Sequence, residues 1–169
     1  MVRKTNSVEK MLTRKSIRKY KKDPISDSAL KIILEAGRRS PSAVNSQPWH
    51  FVVVRDQKAK DACSLGSYNR FTREADLVVV GLYKPSEVVI EKLTLMDVTI
   101  ALQNMVIAAW LQGVGSCWIG AWNDAKLRDT LDLPTDSRIV GLVTFGIPDE
   151  NPSQPPKKPM DEIVHFDKW

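Results

Sequence analysis

Two cysteines, two histidines and eight glycines are few for 169 residues, and each scarcity argues against a class of protein. Cys63 and Cys117 stand far apart with no C-x-x-C spacing, so they fit small core residues in a reducing compartment better than a disulfide framework. His50 and His165 lie near no second ligand at metal spacing, and no zinc or non-haem iron site is expected. The glycines form no G-x-G-x-x-G fingerprint, no Walker A loop and no G-x-S-x-G elbow. Long apolar runs are missing too. The longest, residues 98–111, is interrupted by Gln103 and Asn104 and falls short of the roughly 20 residues a membrane span needs. The N-terminal M-V-R-K-T-N-S-V-E-K-M-L is charged and lacks the apolar stretch of a secretory signal, so a cytoplasmic protein is the expectation.

Acid is what the first 22 residues lack. They carry nine Lys or Arg against one acid, Glu9, a net +8, while the remainder holds sixteen basic and nineteen acidic residues, a net −3. A basic segment on a mildly acidic body suits nucleic acid, anionic lipid or the phosphate of a cofactor. No helix-turn-helix, RNP-like or zinc-finger pattern accompanies the charge, which disfavours a nucleic-acid-binding module. The cofactor phosphate is the simpler reading.

The length fits a single domain, residues 1–169, able to bury about 70% of its unfolded surface. Ser7 can cap a short helix with Val8, Met11 and Leu12 on one face, and Asp27 or Ser28 a second with Leu30, Ile33, Leu34 and Gly37 aligned, ending near Ser40-Pro41. Residues 50–54 and 77–82 are β-branched runs that read as strands, both central in a sheet. From about 91 to 112 apolar residues recur at helical spacing, with Leu93, Ile100, Ala101, Ile107, Ala108 and Leu111 as the expected face and Gly113 as the stop. Strands are expected over 116–119 and 139–145, separated by a helix capped near Asn123 or Asp124 that carries Leu127 and Leu131. Intermixed strands and helices around one core make the class α+β. Pro148, Pro152, Pro155, Pro156 and Pro159 exclude helix and sheet interior from the first half of 148–169, which must run as an extended arm. Its end, E-I-V-H-F, alternates like a strand and suits pairing with another chain's sheet.

Two polar clusters stand out. In T-R-K-S-I-R-K-Y, residues 13–20, Arg14, Ser16 and Arg18 alternate, so in an extended segment they share one face, and two guanidinium forks flanking a hydroxyl suit a phosphate. Between the second helix and the first strand, S-P-S-A-V-N-S-Q-P-W, residues 40–49, is stiffened by two prolines and carries more polar groups than a connector needs. Trp49 reads as core. Asp97 shares a helix face with Ile100, Ala101 and Asn104 and reads as a structural polar contact, within the long helix or across a dimer.

Together these clusters resemble the flavin-dependent nitroreductase family, whose members open with an R-x-S-x-R-like anchor followed some 25 residues later by P-S-x-x-N-x-Q-P-W. The resemblance continues through Asp97, Ala101 and Asn104 (D-x-x-x-A-x-x-N), through G-V-G-S-C-W-I-G over 113–120, and through the terminal K-K-P-M-D-E-I-V. It covers nearly the whole chain.

The resemblance implies a mixed, mainly antiparallel sheet flanked by helices, in an intertwined homodimer that exchanges its C-terminal arms and holds two flavins at the interface. It implies FMN as cofactor, with Arg14 and Ser16 at the phosphate, Lys15 also among the cofactor-binding residues, Arg18 near the pyrimidine end of the ring, and Lys157 and Lys158 as basic residues reaching the phosphate from the arm. Pro41, Ser42, Ala43 and Asn45 match the loop at the ring edge. Asn69 matches an amide contacting that edge, and the backbone of Ile119 or Gly120 the donor aimed at flavin N5. The implied partners are NAD(P)H and a small electrophilic acceptor such as a nitroaromatic or quinone. A flavin-binding carrier or sensor without reductase turnover is the alternative on the same residues.

Overall fold

The computed structural model describes residues 6–169; Arg3 and Lys4 of the basic segment lie outside the described residues. Four strands form one sheet: β1 (His50–Val54), β2 (Leu77–Tyr83), β3 (Gly115–Ile119) and β4 (Arg138–Gly146), in the order β1-β2-β4-β3 with each pair antiparallel. A parallel bridge between Ser16 and Ser116, on the outer edge of β3, is what makes the sheet mixed.

β2 is buried almost throughout. Leu77 and Val79 join Val143 and Phe145 in one core, and Val78, Val80 and Leu82 join Leu142 in another. Helices cover both faces, which is why this strand reads as a continuous apolar run instead of an alternation. Each fully buried Val or Leu contributes about 1.5–3 kcal/mol. β1 corrects the expectation of a second central strand: it pairs with β2 alone, and Val53 is exposed. A β-branched run reports that a strand forms but not how many neighbours it has.

On one face lie α2 (Asp27–Arg38), capped by Ser26 and not by Asp27 or Ser28, and α4 (Glu91–Leu111). On the other lie α3 (Gln57–Ala62) and α5 (Asp124–Leu131), which bury Ala59, Ala62 and Leu127. No element was expected at α3. Its signal was Asp56, whose carboxylate accepts from Ala59 N at 2.9 Å as an N-cap.

α4 buries Thr94, Asp97, Val98, Ala101, Leu102, Met105, Val106 and Ala109. Of the expected face only Ala101 is among them, and Ile100 is exposed, as are Leu95 and Met96. The helix is apolar on all sides, so periodicity could not choose which side meets the sheet. At 21 residues and mean hydropathy 1.4 it is also long and apolar enough, by length and composition, to cross a membrane. It runs longer than residues 98–111, but here it is the core helix, with Asp97 hydrogen-bonded inside the protein.

α1 (Ser7–Leu12) is capped by Asn6, not Ser7, and buries none of its residues. The expected apolar face of Val8, Met11 and Leu12 is exposed, and the helix is held instead by polar contacts. Lys10 Nζ donates to Leu111 O at the C-terminal end of α4 (2.8 Å), and Trp110 Nε1 donates back to Lys10 O (2.8 Å).

The proline-rich arm is extended, as expected, but it does not leave its own core at once. Lys21 N donates to Ile147 O and Asp149 N to Lys19 O, a short antiparallel pairing centred on Tyr20 and Pro148. Further on, the stretch expected as a strand begins as a helical turn, α6 (Met160–Ile163).

Candidate active site

The anchor segment lies extended along the outer edge of β3, where Ile17 N donates to Ser116 O at 2.9 Å. Ile17 is fully buried against Tyr20 and Ala75, and the alternation of an extended chain then divides its neighbours. Lys15 and Ile17 border a space beside Trp110 on one side. Arg18 faces the other, into a cleft of about 360 Å³ that it shares with Tyr68, Asn69, Phe71, Cys117, Trp118, Ile119, Gly120 and Ala121.

Cys117 marks where the anchor residues converge. Burial pushes its thiol up from the ordinary cysteine range, while Arg18, Ser16 and Arg14 around it pull it back down. Among the described residues neither Arg14 nor Arg18 forms an ion pair with a carboxylate. Two guanidinium groups without carboxylate partners, on either side of Ser16 along β3, are free to meet an anion. Gly120 adds room, since a side chain there would meet nothing within 4 Å; a planar ligand can lie against its backbone.

Beneath the cleft a buried hydroxyl network joins the anchor to the sheet. The Tyr20 hydroxyl is 2.6 Å from Ile17 O and 2.7 Å from Thr144 Oγ1, which is 3.2 Å from Cys117 O. Two protons serve three contacts, and the two shortest are met when Tyr20 donates to Ile17 and Thr144 to Tyr20. Burial raises the Tyr20 pKa above its ordinary value, so it stays a neutral donor.

Of the expected site residues, Arg18, Asn69, Ile119 and Gly120 border the cleft, while Arg14 and Ser16 lie beside its wall at Cys117 without bordering it. Asn69 is buried, and its amide is already engaged: Nδ2 donates to Ala121 O at 2.8 Å and Oδ1 accepts from Leu65 N at 2.5 Å. It shapes the cleft wall. Lys15 turns away from the cleft, its ammonium donating to Asn151 Oδ1 and Pro152 O. Lys157 and Lys158 are exposed on the arm, and Lys158 lies 3.7 Å from Glu162.

Pro41, Ser42, Ala43 and Asn45 do not border this cleft. Their loop is fastened to α4, where Ala43 N donates to Asp97 Oδ1 (3.2 Å) and Asn104 Nδ2 to Ser40 Oγ (2.8 Å). Asp97 thus acts structurally, on the loop instead of within its helix. Val44, Asn45 and Gln47 all adopt positive φ near +50°. For a β-branched residue such as Val44 that conformation is strained, a feature that clusters at ligand sites. Trp49 stacks on Phe51, ring centroids 6.5 Å apart, as a packing residue.

Tyr68, Phe71, Cys117 and Trp118 line the cleft without having been singled out as ligand contacts. The last two sit inside C-W-I-G, directly before the expected Ile119 and Gly120. Tyr68 and Phe71 enter through a loop whose path only the fold defines. No three His, Cys, Asp or Glu side chains converge at metal-binding distance among the described residues.

An antiparallel sheet sandwiched by helices, with a cleft beside β3 that Arg18 borders, defines an α+β protein. The chain belongs to the nitroreductase family, whose sequence model matches residues 11–69 and 64–147. A relative named NADH dehydrogenase, from Thermus thermophilus, is 30% identical over 90% of this chain and 92% of its own. Among solved structures, one from Desulfovibrio desulfuricans in complex with FMN matches with a TM-score of 0.86 at 27% identity, covering 96% of this chain and 97% of that one. The NADPH:FMN oxidoreductase of Vibrio harveyi, solved with NAD+, matches with a TM-score of 0.87 at 26% identity, covering 96% and 77%.

Proposed function

We propose that this protein is a flavin-dependent NAD(P)H oxidoreductase that binds FMN and passes two electrons from the nicotinamide to a small electrophile, a nitroaromatic, quinone or similar compound. The observation that carries the reading is the cleft that Arg18 shares with the Ile119–Gly120 end of β3, with Arg14 and Ser16 gathered beside its wall residue Cys117. Its volume lies within the range of small-molecule and cofactor sites. The donors suit the group: guanidinium groups and a hydroxyl for a phosphate, and an open glycine for a ring.

Arg14 and Ser16 would hold the phosphate. Arg18 would lie beside the pyrimidine end and favour negative charge there, and the backbone at Ile119 or Gly120 would supply a hydrogen bond to the ring. FMN supplies a ring that takes up two electrons from a nicotinamide and releases them to an acceptor.

The working unit in this reading is a homodimer with exchanged arms. Apolar surface is left without cover on several elements at once: Leu95, Met96 and Ile100 on α4, Val8 and Leu12 on α1, and Ile163, Phe166 and Trp169 at the end of the arm. Beside the free edge of β1 runs a groove of about 690 Å³ walled by Leu30, Leu34, Trp49, Phe51 and Val53, which suits the arm's terminal residues from a second copy. The strained loop at 41–45 lies outside the arginine cleft of its own chain, and in the dimer it would meet the partner's. Both cysteines are free thiols, which supports a cytoplasmic location.

The visible spectrum and an FMN titration test the reading, followed by NADH and NADPH oxidation with excess quinone or nitroaromatic acceptor. About one FMN per chain and acceptor-dependent turnover are expected. A colourless protein that takes up no added FMN overturns the reading, whereas a yellow one without turnover is a flavin carrier or sensor.

A further inference from the structure

The backbone of the anchor segment is held from two opposite sides. On one, Ile17 N donates to β3 at Ser116 O. On the other stands the arm, whose backbone pairs with the segment only around Tyr20 and Pro148. Beyond that pairing, side chains of the arm hold the segment. A single oxygen of Glu150 accepts from Arg18 N (2.5 Å) and from Lys19 N (3.1 Å). The Gln154 amide donates to Leu12 O (2.8 Å) and Arg14 O (3.3 Å), so the arm grips the segment at both ends. All four of these contacts are made to main chain, which leaves the Arg14 and Arg18 guanidinium groups free for a ligand.

We propose that Glu150 is a positioning residue for Arg18: its carboxylate fixes the backbone from which the guanidinium reaches the cleft, and so couples docking of the arm to tuning of the bound flavin. The proposal rests on the flavin reading above. It has a signature that a brace or a bare charge lacks. A carboxylate near the ring, acting only through its field, disfavours the reduced flavin anion, so removing it raises the reduction potential. Acting through Arg18, its removal lets the guanidinium drift from the developing charge and lowers the potential.

The test compares wild type with Glu150→Ala, Glu150→Gln and Glu150→Asp, measuring the potential of bound FMN and, in flavin-free protein, hydrogen exchange at the Arg18 and Lys19 amides. Glu150→Ala is expected to lower the potential, speed both exchanges and weaken FMN by about tenfold. Glu150→Gln, which keeps an acceptor oxygen and drops the charge, restores slow exchange and a potential at or above wild type. Glu150→Asp, which keeps the charge but withdraws it by one methylene, lowers the potential and serves in place of the alanine variant should that fail to fold. A potential for Ala or Asp equal to or above wild type overturns the proposal. A wild type that binds no FMN overturns the flavin reading instead, and the exchange rates still report on the contact.

Discussion

Asp97, buried in the middle of α4, accepts a hydrogen bond from the backbone N–H of Ala43 at 3.2 Å. The longest helix thereby takes hold of a loop in which three non-glycine residues sit at positive φ. Asp97→Ala leaves that N–H without its partner and frees the loop to relax. A loss of about 1–3 kcal/mol is expected, measured by urea unfolding. A midpoint like that of wild type would show that the loop holds itself.

Arg14 and Arg18 carry the same chemistry but sit in different places. Arg14→Ala is expected to weaken FMN by about 1.5–3 kcal/mol with little effect on its potential, because the phosphate does not change on reduction. Arg18→Ala is expected to lower the potential and slow reduction by NAD(P)H at saturating FMN. Potentiometric titration of both variants decides between these roles, and a potential that moves in Arg14→Ala but not in Arg18→Ala reverses them.

Gly115 faces Ile17 so closely that an added Cβ would lie 2.8 Å from Ile17 Cγ1. Ile17 is β-branched and fully buried and has no flexible end to give way. Gly115→Ala is expected to cost about 1–3 kcal/mol by overpacking, and to weaken FMN by pushing the anchor off β3. Calorimetric and flavin titrations should move together. Lost stability with unchanged FMN affinity would separate the anchor from the site.

Removing residues 155–169 spares the Glu150 and Gln154 contacts but takes away Ile163, Phe166 and Trp169. Light scattering is expected to find a monomer, or aggregate, in place of a dimer. A truncated dimer that keeps its flavin would take the end of the arm out of the interface.

Burial pushes the Cys63 thiol from 9.0 up to about 12. A thiol whose folded pKa is raised leaves stability intact below the unfolded value and erodes it as pH climbs from about 9 towards 12, because the unfolded chain ionises first. Wild type is expected to lose up to about 1.4 kcal/mol per pH unit in that window relative to Cys63→Ala. Urea midpoints at pH 8 and pH 10.5 give the comparison, and parallel slopes for the two proteins would count against it.

Much of this protein was determined by local sequence. Most helix and strand positions follow from periodicity, although α3 was not expected and Asn6 and Ser26 cap α1 and α2 in place of the expected residues. The anchor R-x-S-x-R shows its alternation because residues two apart in an extended chain must share a face, and Arg14, Ser16 and Arg18 do converge about Cys117. The arm's extension follows from its prolines. These are properties of a few neighbouring residues, which the order of side chains states directly.

Tertiary structure alone decided the rest. α4 is apolar all round, so only the sheet chose Thr94, Asp97, Val98 and Ala101 as its inner side and left Leu95, Met96 and Ile100 outside. β1 is an edge because, among the described residues, no strand but β2 pairs with it. Glu150 and Gln154 lie more than 130 residues from the backbone groups they bind, and nothing in their own neighbourhood marks them. Lys15, between Arg14 and Ser16, is drawn to Asn151 and Pro152 by the same docking. A contact between distant segments depends on how the whole chain closes, and that is settled by which surfaces can be buried together.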